Sequence, residues 1–383
     1  GNILNMLLHL GIDVSGYDFS QLCVWQAYLR GAYVPGISFA NSDLTGASFT
    51  HILGQIQGLQ FGPDGALLAV GLKDGMACVW DVREGVLLHT APPRDLTNNY
   101  VCFHAESGIA AQGGPEYQIV IVDMADGSVR HTLEGHSSDL WRLVFSPDGR
   151  LAASGDGTGQ VRLWDLERGR LLRTLAGHTQ PIPTLAFSPE GDRLASASVD
   201  GSVCLWDVRS GRLLRSWQAH DQEVAAIAFV SEGELLATGS HDHTVRLWST
   251  ASGDLTHELR RHTEPVRAMA ADQSGRYLAT AGGDNFIALW DTQTGEPLHI
   301  LADHGAPCFH IAVSADGRSV AALDVNDTIH QWEVESGQRL DFYRMHSNGT
   351  KAIVFSPDGR SLVSGGVDSA IYVWDVTALA APR

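Results

Sequence analysis

Arg193-Leu194-Ala195-Ser196-Ala197-Ser198-Val199-Asp200-Gly201-Ser202-Val203-Cys204-Leu205-Trp206-Asp207 reads as two short apolar runs that turn on Asp-Gly and close on Trp-Asp. Asp-Gly between such runs is a tight-hairpin signal, because the favoured two-residue turn needs positive φ at both positions. The ending recurs at one fixed step: Trp80, Trp164, Trp206, Trp248, Trp290, Trp332 and Trp374 are separated by 42 residues or twice 42. The skipped position holds Val122, and Val122-Asp123 stands where Trp164-Asp165 and Trp374-Asp375 stand, so a diverged second unit fills the gap. The chain carries eight such units.

Nineteen residues before each of these positions stand Phe61, Phe103, Phe145, Phe187, Phe229, Ala271, Val313 and Phe355, several followed by a turn such as Ser146-Pro147-Asp148-Gly149 or Ser356-Pro357-Asp358-Gly359. Pro-Asp-Gly punctuates strands, so each unit reads as antiparallel strands and not as paired helices. A single small sheet cannot bury both of its faces. Neighbours must stack around an axis, and the expectation is an all-β, eight-bladed β-propeller of four-stranded antiparallel blades, with blade cores ending near 80, 122, 164, 206, 248, 290, 332 and 374. After Trp374 too little chain remains for an outer strand, whereas other units have one, such as Arg170 to Leu175. Residues 47–51 precede the first strand of unit one in the place such a strand occupies, so they are expected to close the last blade and latch the ring without a covalent bond. The propeller would then span 47–383. An unlatched ring would expose edges that invite pairing with other chains.

Across residues 52–375 the chain resembles the WD40 repeat family. The motifs are Gly135-His136, Gly177-His178, Ala219-His220, Arg261-His262, Asp303-His304 and Met345-His346, each histidine 28 residues before its tryptophan. The resemblance implies a hydrogen-bonded set in each blade, made of the histidine, a turn aspartate, a strand hydroxyl and the tryptophan. By position the aspartates are Asp74, Asp200, Asp242, Asp284 and Asp368, and the hydroxyls Ser154, Ser196, Thr238, Thr280 and Ser364. Such a set meets a physical need, since an indole N–H and an imidazole buried between blades lose water and require partners. The pattern lapses at Ile52 in blade one, at Arg94, Glu116 and Val122 in blade two, at Thr158 in blade three, and at Ala322 and Asn326 in blade seven. Those blades are expected to be less rigid.

Residues 1–46 carry a different rhythm. Val14, Phe19, Val24, Leu29, Val34, Phe39, Leu44 and Phe49 follow at intervals of five, which is neither helix nor strand periodicity. The stretch resembles pentapeptide-repeat proteins, which implies a small β-coil cap; an irregular cap covering the propeller edge is the alternative. Ile3, Leu4, Leu7 and Leu8 ahead of it give a short helical face that Gly11 could stop. A chain opening on Gly1 inside such a face reads as a piece of something longer.

The 383 residues have net charge −18 and no lysine or arginine cluster able to neutralise several phosphates, which argues against nucleic acid. No apolar run approaches a membrane span and no basic segment opens a secretory signal, so a soluble protein with no membrane contact is expected. Cys23, Cys78, Cys102, Cys204 and Cys308 form no CxxC pair and read as small buried residues, which suits a reducing cytoplasm. A Ser-His-Asp triad is tempting. Yet the same set recurs blade after blade at one spacing, and a catalytic constellation occurs once and aims at one substrate, so no enzyme is expected. There is no phosphate-binding GxxxxGK[ST] loop, and His241-Asp242-His243 reads as an exposed hairpin turn in preference to a metal site. Neither a cofactor nor a metal is expected.

What remains is a binding platform. In the WD40 family partners meet the narrower ring face, through residues five after the histidine and through the residue before the turn aspartate. Carried over, these include Gln57, Asn99, Trp141, Arg267, Phe309 and Lys351 in the first set and Lys73 and His241 in the second. Trp and Arg are the types that dominate interfaces when exposed, although Trp141 could instead pack on a neighbouring blade. Segments such as Leu10-Gly11-Ile12-Asp13-Val14 and Trp25-Gln26-Ala27-Tyr28-Leu29 ahead of WD repeats also resemble the C-terminal regions of large bacterial signalling NTPases with NB-ARC or NACHT domains. That implies a sensor which holds an upstream NTPase domain off until a protein or peptide partner arrives, the isolated fragment being a monomer. A constitutive scaffold, or a small-molecule or glycan-binding propeller using the axial channel, are the competing readings.

Overall fold

A computed structural model describes residues 48–49, 55–62, 64–73, 77–82, 86–91, 101–104, 107–113, 115–124, 126, 128–302, 304–344, 346 and 349–376. The pentapeptide-like cap and short helix over 1–46, together with Asp74, Asn99 and Cys23, lie outside the described residues.

The molecule is a ring of eight four-stranded antiparallel sheets. Blade four shows the plan: innermost strand Thr184–Phe187, then Arg193–Ala197, Ser202–Asp207 and outermost Leu213–Gln218. The innermost strands of successive blades touch in sequence, and that of blade one (Ile56–Phe61) meets that of blade eight (Thr350–Phe355), which closes the circle. Blade eight takes its fourth strand from the other end of the chain. Ser48–Phe49 pairs antiparallel with Ile371–Asp375, Ser48 opposite Tyr372 and Phe49 opposite Ile371.

Burial explains why no blade stands alone. The apolar clusters lie between blades: Ala153, Leu163 and Leu175 of blade three pack with Leu185, Leu194 and Trp206 of blade four, and Leu323 and Ile329 of blade seven with Leu362 and Trp374 of blade eight. Each sheet therefore contributes two buried faces, one to either neighbour, and hydrophobic stabilisation is realised only in the stacked ring. The turns between first and second strands are built by their own side chains. In Ser146-Pro147-Asp148-Gly149 the Ser146 hydroxyl donates to Asp148 at 2.6 Å and accepts the Leu151 N–H at 2.9 Å, and Ser356 and Asp358 repeat this. Gly201 turns the blade-four hairpin at φ +83, where a Cβ would run into the His220 carbonyl. Gly177, beside His178, lies where a Cβ would stand 2.7 Å from the Trp206 ring.

Candidate binding face and the buried side-chain sets

In blade five, Trp248 Nε1–H donates to Thr238 Oγ1 (2.9 Å), Thr238 donates to His220 Nε2 (2.7 Å), and His220 Nδ1–H donates to Asp242 (2.9 Å). Blade six repeats the chain with Trp290, Thr280, His262 and Asp284 at 3.0, 2.8 and 2.9 Å. Blade eight does so with Trp374, Ser364, His346 and Asp368 at 3.2, 2.9 and 2.8 Å. The carboxylate can only accept, so the network assigns the proton to Nδ1 and leaves Nε2 as the acceptor. Burial by itself would raise the Asp242 and Asp284 carboxyls. Hydrogen bonds from the Thr244 hydroxyl and His220 hold Asp242, and hydrogen bonds from His262 and the Thr263 N–H hold Asp284, below the ordinary carboxylate value. Burial keeps His178 and His220 below the ordinary histidine value, against the pull of Asp200 and Asp242.

Two blades solve the same problem with other residues. In blade three, Trp164 donates to Ser154 (2.7 Å) and Ser154 to His136 Nε2 (2.6 Å), but Nδ1 meets Asp156 at 2.7 Å, so Asp156 supplies the carboxylate missing at Thr158. Thr158 then donates to Asp156 (2.6 Å). In blade four, Trp206 and His178 both reach Ser196 at 2.8 Å, yet His178 Nδ1 meets the Ser202 hydroxyl at 2.8 Å and not Asp200. The exposed Asp200 instead accepts the Ser202 N–H, its carboxylate spent on the hairpin turn. Neither Asp156 nor Ser202 stands at the family position. The only signal for either is a polar side chain within a few residues of the hydroxyl.

Blades one and seven lack the hydroxyl. Val70 stands at that position in blade one, and buried Trp80 Nε1 meets no acceptor among the described residues. In blade seven, with Ala322 in place, His304 packs edge-on against Trp332 at 5.5 Å, while His330 donates to Asp324 (3.0 Å) and accepts from Arg339 (2.6 Å). The Asp–His–Ser or Asp–His–Thr chains of blades three, five, six and eight have the connectivity of a nucleophile relay. However, the Ser154, Ser196, Thr238, Thr280 and Ser364 side chains are fully buried and already accept an indole N–H. No substrate could reach them.

The exposed candidates gather where the innermost strands begin. One backbone bond recurs there: the residue before each second hairpin turn donates its N–H to the carbonyl two residues ahead of the innermost-strand position. The pairs include Lys73 to Gln55, Val199 to Pro181, His241 to Glu223, Val325 to Pro307 and Val367 to Gly349, at 2.7 to 3.1 Å. This bond ties the two sets of candidate residues into one surface. Lys73, Trp141, Arg267, Phe309 and Lys351 are exposed on it, and Gln57 is half-buried. Trp141 is 41% exposed and lies over its own hairpin, Nε1 standing 3.3 Å from a Cβ built on Gly157. The Arg267 guanidinium sits over the Phe309 ring at 5.5 Å. His241 faces Glu223 at 3.5 Å, and Asp242 is taken by His220, so the His241-Asp242-His243 turn brings no ligand set together. Among the described residues no three His, Cys, Asp or Glu could hold a metal ion.

A separate cavity of about 580 Å³ runs beside the innermost strands of blades one to four, lined by Leu59, Phe103, Arg142, Leu143, Phe145 and Phe187 among others. Cys102, also on its wall, has its thiol pushed far above the ordinary range by burial, against the charge of Arg142. No helix among the described residues is long and apolar enough to cross a membrane.

Residues 46–81, 127–165, 169–207, 211–249, 253–291 and 337–375 each match the family described as WD domain, G-beta repeat, together more than half of the chain. The chain belongs to the WD40 repeat family. The two stretches of the WD40 ring left unmatched hold blades two and seven, where Val122 and Glu116, and Ala322 and Asn326, break the motif. An uncharacterized WD repeat-containing protein of Nostoc sp. is 51% identical over 88 residues, which is 23% of this chain and 7% of that protein. The match thus spans a small part of a much longer relative. The crystal structure of a computationally designed protein, Ika8, superposes with a TM-score of 0.76 at 26% identity, covering 86% of this chain and 98% of that one.

Proposed function

We propose that this WD40 ring is a non-catalytic platform that binds a protein or peptide partner on the face where its innermost strands begin, and that it serves as the sensing, autoinhibitory C-terminal region of a larger bacterial signalling NTPase in the cytoplasm. The observation that carries the platform is the union on one rigid surface of Trp141, Arg267 and Phe309, exposed side chains of the types that anchor interfaces. The buried hydroxyls argue against catalysis, since the nucleophile-like oxygens are sealed between blades. The sensor reading is supported by the pentapeptide-like prefix and by the length of the Nostoc relative, in which the matching repeats are a small part. Its mechanism is differential binding: a partner must favour the released arrangement over the closed one, or nothing switches.

Affinity capture with the parent chain and the variants Trp141→Ala and Arg267→Ala tests the platform. Loss of one protein partner by both supports it, and unchanged capture moves the site elsewhere. A coding sequence without a nucleotide-binding module ahead of Gly1 would remove the NTPase reading. A second reading rests on the cavity along blades one to four, whose volume of about 580 Å³ falls in the range of small-molecule sites. Saturation of the isolated ring by a metabolite that shields Phe145, with capture indifferent to Trp141→Ala, would favour it.

A further inference from the structure

The chain contains only two lysines, Lys73 and Lys351, and both lie exposed on the candidate binding face of a molecule with net charge −18. Arg267, Phe309 and Lys351 hold the same position on the innermost strands of blades six, seven and eight, which touch in that order, so they form an arc of cation, aromatic ring and cation. The arc is contiguous: Arg267 sits over Phe309 at 5.5 Å, and the strand that carries Phe309, Cys308–Val313, packs against the strand that carries Lys351, Thr350–Phe355.

Several surface cations elsewhere are paired with the chain's own acids, although others, such as Arg209, Arg212 and Arg261, are exposed with no carboxylate within 4.0 Å among the described residues. Arg130 meets Asp123, Arg168 meets Asp165, Arg276 meets Asp291, and Arg246 and Arg260 share Glu258, all within 3.4 Å. Arg267 and Lys351 have no carboxylate within 4.0 Å among the described residues. Four acids of the same face are committed inward or to backbone: Asp284 to His262, Asp368 to His346, Glu223 to His241, and Asp327 to the N–H groups of Gly349 and Thr350, while Glu264 and Asp139 are exposed on it. In a chain this acidic, two uncompensated cations flanking an exposed ring are the complement of a negatively charged partner group.

Resting on the reading of this face as a partner platform, we propose that the arc of Arg267, Phe309 and Lys351 grips an acidic peptide segment of the partner, the two cations taking carboxylates and Phe309 the stem between them. A nucleic acid fits less well, because the site offers no row of cations to follow a backbone of phosphates and the surrounding charge repels a long polyanion.

Selection of displayed random dodecapeptides on the purified chain tests this, followed by fluorescence anisotropy of the winners at low and at moderate salt. The expected result is enrichment of peptides with several Asp or Glu. Their affinity falls about tenfold in Arg267→Gln and in Lys351→Gln and weakens with salt, is kept in Lys351→Arg, and is indifferent to Arg168→Gln at the far end of blade three. Circular dichroism of each variant checks that the ring stays folded. Enriched peptides without acidic bias that are lost in Trp141→Ala would overturn the acidic specificity while leaving the platform standing. Failure to obtain any peptide sensitive to Trp141, Arg267 or Lys351 would overturn both. A single-stranded dodecanucleotide that binds the arc more tightly than the best peptide would also overturn the proposal.

Discussion

Removing one oxygen atom from blade four isolates what the buried sets contribute. Ser196 Oγ is fully buried and stands 2.8 Å from both Trp206 Nε1, which donates to it, and His178 Nε2, which it donates to. Ser196→Ala leaves almost no cavity, but it strands an indole N–H and an imidazole nitrogen away from water. Each stranded group costs about 1 to 3 kcal/mol, so the substitution should destabilise the ring by about 2 to 6 kcal/mol, well above the typical exposed Ser→Ala change. Urea unfolding followed by far-UV circular dichroism reads this as a lower midpoint at unchanged slope. The decisive control is the same substitution in Trp206→Phe, where no indole N–H remains to be stranded. There the cost should fall by about half, because the two changes share a partner. A cost below about 0.5 kcal/mol, or one that is the same in both backgrounds, would refute the argument that the hydroxyl exists to satisfy buried nitrogens.

Blade one offers the converse experiment. Val70→Thr is nearly isosteric and places an acceptor beside Trp80 Nε1, so it should raise stability by about 0.5 to 1.5 kcal/mol, with an equal or lower midpoint counting against it. Stability should also depend on pH through the buried imidazoles. His178 and His220 have folded values below the ordinary 6.5, so the unfolded chain binds more protons once pH drops under that value. Their contribution is complete above pH 6.5 and is lost as pH falls toward the lowered folded values, at up to ~1.4 kcal/mol per pH unit for each histidine. Calorimetric Tm should therefore decline from pH 7.5 to pH 5, and a flat or rising profile would sink the claim that these rings are held neutral.

The eight-bladed architecture was legible in the sequence because the constraint that makes it is local and repeated. Trp-Asp at a step of 42, Asp200-Gly201 and its counterparts, and Phe-Ser-Pro-Asp-Gly each act within a few residues, and repetition turns a weak signal into a strong one. Divergence at blades two and seven could be read for the same reason. Which atom answers each buried nitrogen was not legible. Asp156 replaces the carboxylate absent at Thr158, Ser202 stands in for Asp200, and His330 with Asp324 and Arg339 fills blade seven around Ala322. A donor between packed sheets takes whichever acceptor the three-dimensional neighbourhood brings within 3 Å, and spacing along the chain does not specify that.

The sequence by itself determined the repeat, its strand content and the closed count of blades, since hydrogen-bonded hairpins and apolar alternation are properties of short segments. Tertiary structure alone decided which charges stay free. Arg267 and Lys351 are separated by two repeats in sequence, yet they flank Phe309 on one surface, while Arg168 and Arg276 find carboxylates of their own chain. Coulombic pairing depends on distance through space, and only the closing of the ring sets those distances.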